Sequence, residues 1–353
     1  ADALQVDPDW LNNNNDNDST LSDVDKIQTS ADNSGGMKVR EFKKSSKLNN
    51  VLYDVRGPVV DEAARMEEMG THVLKLNIGN PAPFGFRTPD EVIYDMSRQL
   101  SDCEGYSASA GLFSARKAIM QYAQLKHLPN VTMNDIYTGN GVSELINLTM
   151  SALLDTGDEI LIPSPDYPLW TACATLAGGK PVHYICDEQS DWYPDIEDIK
   201  SKITPRTKAI VIINPNNPTG TVVEKEYLAT LISHNPQVCF VIDQSYEFFT
   251  LRPLFSAAEA AEFPNVLLLH SMTKRYAVPG LRLGYVIGAP HLLHRLRTNR
   301  MPWSVNQLAI EAGLHLLEHD VPNPLDVASY LQEAARLRSA LEALGGLDVW
   351  ATE

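Results

Sequence analysis

The segment Ser271–Arg282 reads SMTKRYAVPGLR and places a lysine, two hydroxyl side chains and an arginine directly after an apolar run. That run, Asn265–His270, is short enough to be a strand within a parallel sheet. Ligands of open α/β sheets bind beyond the carboxyl ends of the strands, where Lys274 would lie. A partly desolvated lysine can form a Schiff base there, and the Arg282 guanidinium can bind a phosphate. The pattern therefore favours a phosphorylated aldehyde as ligand, although an isolated S-x-T-K is more often a solvated loop.

Two further polar elements follow predicted strands. The loop NPNNPTG, Asn214–Gly220, follows the strand Ala209–Ile213 and can hold an amide side chain as a hydrogen-bond donor. Asp243 follows the strand Val238–Ile242, and Tyr246 lies three residues further on. A carboxylate buried at a strand end needs a partner, and a protonated pyridine nitrogen would be one. A plain strand-to-helix turn and a helix-capping aspartate are the alternative interpretations of these two elements.

A third element, TGNGVSE at Thr138–Glu144, ends a short strand and opens a helical pattern. Its glycines resemble a dinucleotide-binding fingerprint, but Glu144 stands where that motif has its third glycine, so NAD binding is disfavoured. A phosphate resting on the N–H groups of Val142 and Ser143 fits the residues better.

The strands and helices that must position these residues alternate along the chain. This alternation predicts a mainly parallel sheet with helices on both faces. Amphipathic helices are predicted at Ile196–Ile203, at Glu224–Ser233 and, near the end of the sequence, at Pro324–Leu344. The remaining predicted strands are Glu159–Pro163, Pro181–Cys186, Val266–His270 and Leu283–Ile287.

Composition excludes several classes of protein. The chain has 353 residues and a net charge of −16, which argues against a nucleic-acid-binding surface. The four cysteines lack C-x-x-C spacing and read as buried, reduced side chains, and the histidines form no metal-ligand pattern. No segment predicts a transmembrane helix or a signal peptide, so we expect a cytoplasmic enzyme that binds neither nucleic acid nor membrane.

Four regions are expected along the chain. Residues 1–36 are predicted to be a disordered acidic tail because they are rich in Asp and Asn and poor in apolar side chains. Residues 37–87 should begin a small domain, and residues 88–322 should form the large domain that carries the site. Residues 323–353 should begin the C-terminal part of the small domain, which is predicted to be incomplete.

Taken together, these elements resemble the fold type I pyridoxal-phosphate enzymes, in particular the class I and II aminotransferases, from about Met37 to Glu353. The resemblance implies a seven-stranded type of sheet with helices on both faces, and pyridoxal 5′-phosphate as the cofactor. It implies that Lys274 carries the Schiff base and moves the substrate's α-proton, and that Asp243 keeps the pyridine nitrogen protonated. It also implies a homodimer with shared active sites, in which Tyr106 reaches the phosphate of the neighbouring subunit.

The resemblance implies roles for further residues. Tyr246 and Asn217 would bind the ring oxygen of the cofactor, and Tyr167 would stack on the ring. Gly79 and Asn217 would bind the substrate, and the Gly79 backbone would contact the substrate carboxylate. The phosphate would be bound by Gly141, Val142, Ser143, Ser271 and Arg282.

The resemblance divides between subfamilies. The segments LNIGNPAPFGF and GNGVSELI resemble bacterial alanine aminotransferases, whereas HSMTKRYAVPGLRLGY and RMPWSVNQLA resemble threonine-phosphate decarboxylases and histidinol-phosphate aminotransferases. Members of the family continue past the position of Glu353 and supply there an arginine for the substrate α-carboxylate, which no residue of this sequence matches. We therefore expect weakened amino-acid binding and an uncovered apolar face on the helix Pro324–Leu344.

Three functions remain open at this point. The first is transfer of an amino group between an amino acid, alanine or glutamate, and a 2-oxo acid. The second is decarboxylation of a phosphorylated threonine, which the C-terminal segments favour. The third is a chain that binds the cofactor without turnover, because the carboxylate-binding arginine has no counterpart.

Overall fold

The computed structural model describes residues 43, 45–48, 51, 58–76, 79–105, 113–125, 132–133, 136–319, 321–322 and 325–350. The chain divides into the units Ala1–Lys44 and Ser45–Glu353, and everything described below lies in the second unit. The predicted tail, residues 1–36, lies outside the described residues, as does Tyr106. The predicted domain boundaries at residues 87 and 322 stay predictions.

An eight-stranded sheet forms the centre of the second unit, with the strand order β1-β8-β7-β6-β5-β2-β3-β4. The strands are β1 (Ile136–Asn140), β2 (Glu159–Ser164), β3 (Lys180–Asp187), β4 (Tyr193–Pro194), β5 (Thr207–Ile213), β6 (Cys239–Asp243), β7 (Val266–Ser271) and β8 (Leu283–Gly288). Strands β3, β2, β5, β6 and β7 run parallel, while β8 is antiparallel to both β1 and β7. The prediction of a mainly parallel sheet is confirmed, and all six predicted strands are present.

Helices connect the strands and precede them. They are α1 (Pro58–Glu68), α2 (Asp90–Arg98), α3 (Phe113–Leu125), α4 (Gly141–Leu153), α5 (Leu169–Leu176), α6 (Ile196–Lys202), α7 (Lys225–His234), α8 (Ala257–Ala261), α9 (Pro290–Thr298), α10 (Gln307–Glu318) and α11 (Val327–Glu342). No helix among the described residues is long and apolar enough to cross a membrane.

Helices cover both faces of the sheet, as the alternating pattern predicts. The side chains of β6 alternate between two apolar clusters: Val241 packs with α4 and α9, whereas Phe240 and Ile242 pack with α7 and α8. This burial of both faces explains why the parallel strands are continuous apolar runs in the sequence. The sheet is therefore a rigid support for the loops at its edges.

The helix predicted at Pro324–Leu344 begins later than expected. It starts at Val327, after Asp326 accepts a hydrogen bond from the Ser329 N–H, a capping interaction that fixes the first turn. On the apolar face of this helix Tyr330 and Leu337 are exposed, whereas Leu331 and Leu341 are half-buried.

Cysteine burial is also partly as predicted. Cys173, Cys186 and Cys239 are buried free thiols, and burial raises their pKa. Cys103 is only half-buried, so the prediction was wrong for this residue. It is the last residue of a short 3-10 turn, Leu100–Cys103, and does not lie in an apolar strand or helix.

Candidate active site

Strand direction and register bring the predicted site residues to one edge of the sheet, namely the edge formed by the C-terminal ends of the parallel strands. Asn140 at the end of β1 pairs with Leu283 at the start of β8, and Gly284 pairs with Ser271 at the end of β7. On the other side of β7, Asp243 ends β6 and pairs with Leu269. Because β1 and the parallel strands all end at this edge, their C-terminal loops meet there.

The loops at this edge carry the polar residues singled out in the sequence. Asn214 follows β5, and Lys274 lies three residues beyond the end of β7. Arg282 directly precedes β8, whose antiparallel direction brings its start to the same edge. The structure therefore brings together the loop after β5 and the connection between β7 and β8, which are separate in the chain.

Lys274 lies at the centre of this edge. Its Nζ donates a hydrogen bond of 2.6 Å to the backbone carbonyl of Gly79. A β-carbon built on Gly79 would lie 3.1 Å from Lys274 Nζ and 3.2 Å from the Tyr246 hydroxyl, so all three groups meet at one point. Burial lowers the pKa of Lys274, and the Arg282 cation lowers it further. A lower pKa leaves more of the amine neutral and able to attack a carbonyl carbon.

Asp243 is buried at the end of β6. Its Oδ1 accepts hydrogen bonds from the Ser245 N–H at 2.9 Å and from the Ser245 hydroxyl at 2.6 Å. This is a turn closed by the aspartate side chain two residues back, and not the helix cap that was the alternative interpretation. Burial raises the pKa of Asp243, while the bonds from Ser245 lower it. A carboxylate in this position is suited to a cationic partner.

Tyr246 follows Asp243 and precedes a 3-10 turn, Glu247–Phe249. Burial raises its pKa, and the neighbouring Asp243 raises it further, so the phenol holds its proton at neutral pH. It can therefore donate a hydrogen bond to an oxygen beside Lys274.

The start of α4 supplies a candidate phosphate site. Gly141 has φ of +72°, and a β-carbon there would collide with the Arg282 guanidinium. The N–H groups of Val142 and Ser143 lie in the first turn of α4, where they have no acceptor within the helix and can bind an anion. Glu144 does not continue a dinucleotide motif, because its carboxylate accepts the Asn140 N–H and closes the turn that enters the helix.

Ser271 and Arg282 flank the same region. The Ser271 hydroxyl lies 2.8 Å from the Thr273 hydroxyl, and both residues are buried. Arg282 donates from Nη1 to the carbonyl of Pro279 at 3.1 Å and itself has a left-handed backbone, with φ of +61°. The bond to Pro279 holds the guanidinium against Gly141, where this cation and the free N–H groups at the start of α4 form a cradle that suits a phosphate.

Two site residues lie in loops fixed by contacts that the sequence did not reveal. Asn217 is half-buried in NPNNPTG, where Asn214 exchanges two hydrogen bonds with the Val223 backbone, at 2.8 and 2.9 Å. Tyr167 packs against the core beside Asp166, which accepts a hydrogen bond from Thr171 at 2.9 Å. An asparagine directly after a buried strand is the only sequence signal for Asn214.

Comparison with known proteins agrees with this geometry. Residues 71–353 match the family model for aminotransferase class I and II. The chain belongs to the class I and II aminotransferases. The cofactor of this family is pyridoxal 5′-phosphate, and the cradle of Gly141 and Arg282 with the neighbouring Lys274 fits its phosphate and its aldehyde.

Relatives among the class I and II aminotransferases share long stretches with the chain. Glutamate-pyruvate aminotransferase AlaA of Escherichia coli K12 is 54% identical over 254 residues, covering 70% of this chain and 62% of the relative. An alanine aminotransferase of Mycobacterium tuberculosis H37Rv is 47% identical over 276 residues, covering 77% of this chain and 64% of the relative. The chain thus spans less than two thirds of the length of these relatives.

Solved aminotransferase structures have the same fold. The alanine aminotransferase from Pyrococcus furiosus matches with a TM-score of 0.79 and 32% identity, covering 88% of this chain and 82% of that one. The L-threonine-O-3-phosphate decarboxylase from Porphyromonas gingivalis matches with a TM-score of 0.65, 24% identity and 74% of this chain covered, against 79% of its own. That identity supports the fold alone, so the decarboxylase resemblance of the C-terminal segments is minor.

Proposed function

We propose that this chain transfers an amino group between alanine or glutamate and a 2-oxo acid, with pyridoxal 5′-phosphate as cofactor. The observation that carries the proposal is the meeting of Lys274, Tyr246 and Gly79 at the edge where the buried Asp243 also ends its strand. Relatives named as glutamate-pyruvate and alanine aminotransferases support the choice of substrates. Decarboxylation of threonine phosphate finds no comparable support.

The cofactor and Lys274 have separate roles in the proposed reaction. When bound, the cofactor supplies an aldehyde carbon that an amine can attack and a protonated ring that accepts electrons from the substrate α-carbon. Lys274 would hold that carbon covalently in the resting enzyme, and its amine, when free and neutral, would carry the α-proton from the substrate to the cofactor. The lowered pKa of Lys274 suits this exchange, because the amine must be neutral to accept a proton.

Other residues bind and orient the cofactor. Asp243 keeps the ring nitrogen protonated. Burial raises the pKa of the Asp243 carboxyl, and the positive charge of the protonated ring nitrogen offsets this effect and favours the ionised carboxylate. Tyr246 and Asn217 donate to the ring oxygen, and Tyr167 stacks on the ring. The phosphate is bound by Gly141, Val142, Ser143, Ser271 and Arg282.

The proposal extends to substrate binding and assembly. Gly79 and Asn217 contact the substrate carboxylate, which places the reacting α-carbon beside Lys274. The chain forms a homodimer in which Tyr106 binds the phosphate of the neighbouring subunit. A cytoplasmic location is part of the same proposal.

The test uses purified chain loaded with pyridoxal 5′-phosphate and given alanine with 2-oxoglutarate. Equal amounts of pyruvate and glutamate are expected, and Lys274→Ala should form neither. Release of carbon dioxide from threonine phosphate, with no pyruvate from alanine, would overturn the proposal. A loaded chain that responds to no amino acid would overturn it as well and would support binding without turnover.

A further inference from the structure

A hydrogen-bonded histidine and glutamate lie next to the proposed cofactor residues in the chain. His270 Nδ1 is 2.9 Å from Glu247 Oε1, and the two side chains are 7% and 19% exposed. His270 is the penultimate residue of strand β7, directly before Ser271, and Glu247 follows Tyr246 in the chain. A carboxylate only accepts hydrogen bonds, so this contact requires the proton on Nδ1 of His270.

The His270 ring is fixed on its other sides by the core. It stacks on the Tyr285 ring of β8 with a centroid separation of 4.9 Å and an interplanar angle of 23°. Strands β7 and β8 are paired at Tyr285 and His270, so the two rings lie on neighbouring strands, and the stacking and the contact with Glu247 hold the His270 ring between them. The hydrogen bond between His270 and Glu247 therefore restrains the turn Glu247–Phe249.

A second contact joins the same two segments. The Arg275 guanidinium lies 3.9 Å from the centre of the Phe248 ring, a cation–π contact within the favourable range. Arg275 also donates to the Tyr122 hydroxyl at 3.3 Å, which holds the guanidinium from the side of α3. Glu247 and Phe248 thus both contact the segment 270–275, in which Lys274 lies.

From these contacts we infer that His270 and Glu247 are positioning residues that fix the Tyr246 hydroxyl beside Lys274. Tyr246 directly precedes the anchored turn, and its hydroxyl shares with Lys274 Nζ the space next to Gly79. The pair touches neither reacting atom and acts through Tyr246. This inference rests on the proposed function, because it concerns the residue proposed to donate to the ring oxygen.

The first test measures amide hydrogen exchange in the chain without cofactor. The N–H groups of Glu247 and Phe249 donate to the carbonyls of Gln244 and Tyr246, both at 3.1 Å, and report on the turn. His270→Gln and Glu247→Ala should each speed exchange at these amides on the order of tenfold, since a charged hydrogen bond is lost. Glu247→Gln keeps an oxygen acceptor and should restore most of the protection.

The second test measures the pH midpoint of the visible absorbance of the loaded chain. A donor to the ring oxygen lowers the basicity of that oxygen and of the nitrogen beside it, so Tyr246→Phe should raise the midpoint. His270→Gln and Glu247→Ala should raise it in the same direction. When Tyr246→Phe is already present, neither substitution should shift the pH midpoint further. If the pair had only a general structural role, each substitution would shift the midpoint by the same amount with and without Tyr246→Phe.

A matched control is the pair Lys225–Glu259, which has the same separation of 2.9 Å but holds α7 to α8. Lys225→Gln should change neither the exchange of the turn nor the midpoint. Unchanged exchange in both pair variants, or a full shift that persists in Tyr246→Phe, would overturn the inference. If the wild-type chain takes up no cofactor at Lys274, the proposed function fails, and the exchange measurement still decides whether the pair fixes the turn.

Discussion

Lys274 Nζ donates a hydrogen bond of 2.6 Å to the carbonyl of Gly79, which joins residues 195 positions apart in the chain. The Tyr246 hydroxyl lies at the same point, since it would be 3.2 Å from a β-carbon on Gly79. A larger residue at position 79 would press on both groups. The lysine thus has a fixed starting position beside the segment proposed to bind the substrate carboxylate.

Replacing Lys274 tests the covalent link directly. Lys274→Ala should abolish attachment of the cofactor by borohydride, because the amine that forms the reducible link is removed. Non-covalent binding in the phosphate cradle should persist. Lys225→Ala is the control, since Glu259 raises the pKa of that lysine and keeps it charged. Mass mapping of the reduced chain locates the link, and attachment in Lys274→Ala at the wild-type level would refute the assignment.

Gly141 tests the phosphate cradle. Gly141→Ala imposes a left-handed backbone on alanine, at about 1–2 kcal/mol, and pushes its methyl group into Arg282. Gly157→Ala also imposes a left-handed backbone on alanine, since Gly157 has φ of +95°, but its β-carbon would meet no neighbour within 4 Å. Urea unfolding should show a loss of about 1–2 kcal/mol for Gly157→Ala and a larger loss for Gly141→Ala. Only Gly141→Ala should weaken cofactor binding, by about tenfold; equal binding by both variants would count against the cradle.

Asn214 tests the support of the loop that carries Asn217. Asn214→Ala leaves the N–H and the carbonyl of Val223 without their side-chain partner in a buried site. The expected loss in the free energy of unfolding is about 2–4 kcal/mol, with weaker cofactor binding because the loop loosens. Thr230→Ala, which removes an exposed bond to the Glu226 carbonyl, should change stability by less than about 0.5 kcal/mol. A comparably small loss for Asn214→Ala would show that the loop does not depend on this residue.

Glu159 begins β2, at the end of the strands opposite to the site, and it should make the stability of the protein depend on pH. The Thr204 hydroxyl, with Arg206 and Lys180, lowers the pKa of the Glu159 carboxyl from 4.5 to about 2. A carboxyl with a lower pKa in the folded state stabilises it fully above pH 4.5, and this contribution disappears as the pH falls towards 2. Urea midpoints of wild type and Glu159→Gln should therefore differ at pH 7 and converge below pH 4.5.

Glu197 provides the comparison for that experiment. It pairs with Lys200 at 2.7 Å on an exposed surface, so Glu197→Gln should change stability by about 0.5 kcal/mol or less at any pH. A difference for Glu159→Gln that stays constant down to pH 2 would contradict the lowered pKa of Glu159.

The strands and their polar C-terminal loops could be predicted from the sequence because buried parallel strands are apolar runs that end at turn residues. Direction was harder to predict: β8 has the same apolar pattern as its neighbours yet runs antiparallel to them. Because β8 runs antiparallel to β7, its start lies beside the end of β7. Arg282, which precedes β8, therefore lies at the same edge as Ser271.

Contacts between distant segments could not be predicted in this way. The bond between Lys274 and Gly79 and the pair of His270 and Glu247 depend on how loops pack, and neither partner has a local pattern that names the other. Asp243 could be predicted as buried, because it directly follows an apolar strand, but its bonds to Ser245 required the structure.

The central claim is tested most directly by a half-reaction with the loaded chain and no 2-oxo acid present. On addition of excess alanine, one pyruvate should form per bound cofactor, and the visible absorbance should change in step. The same experiment on Lys274→Ala should yield no pyruvate within the same time. A wild-type chain that holds the cofactor at Lys274 yet releases no 2-oxo acid from alanine or from glutamate would contradict the proposed amino transfer.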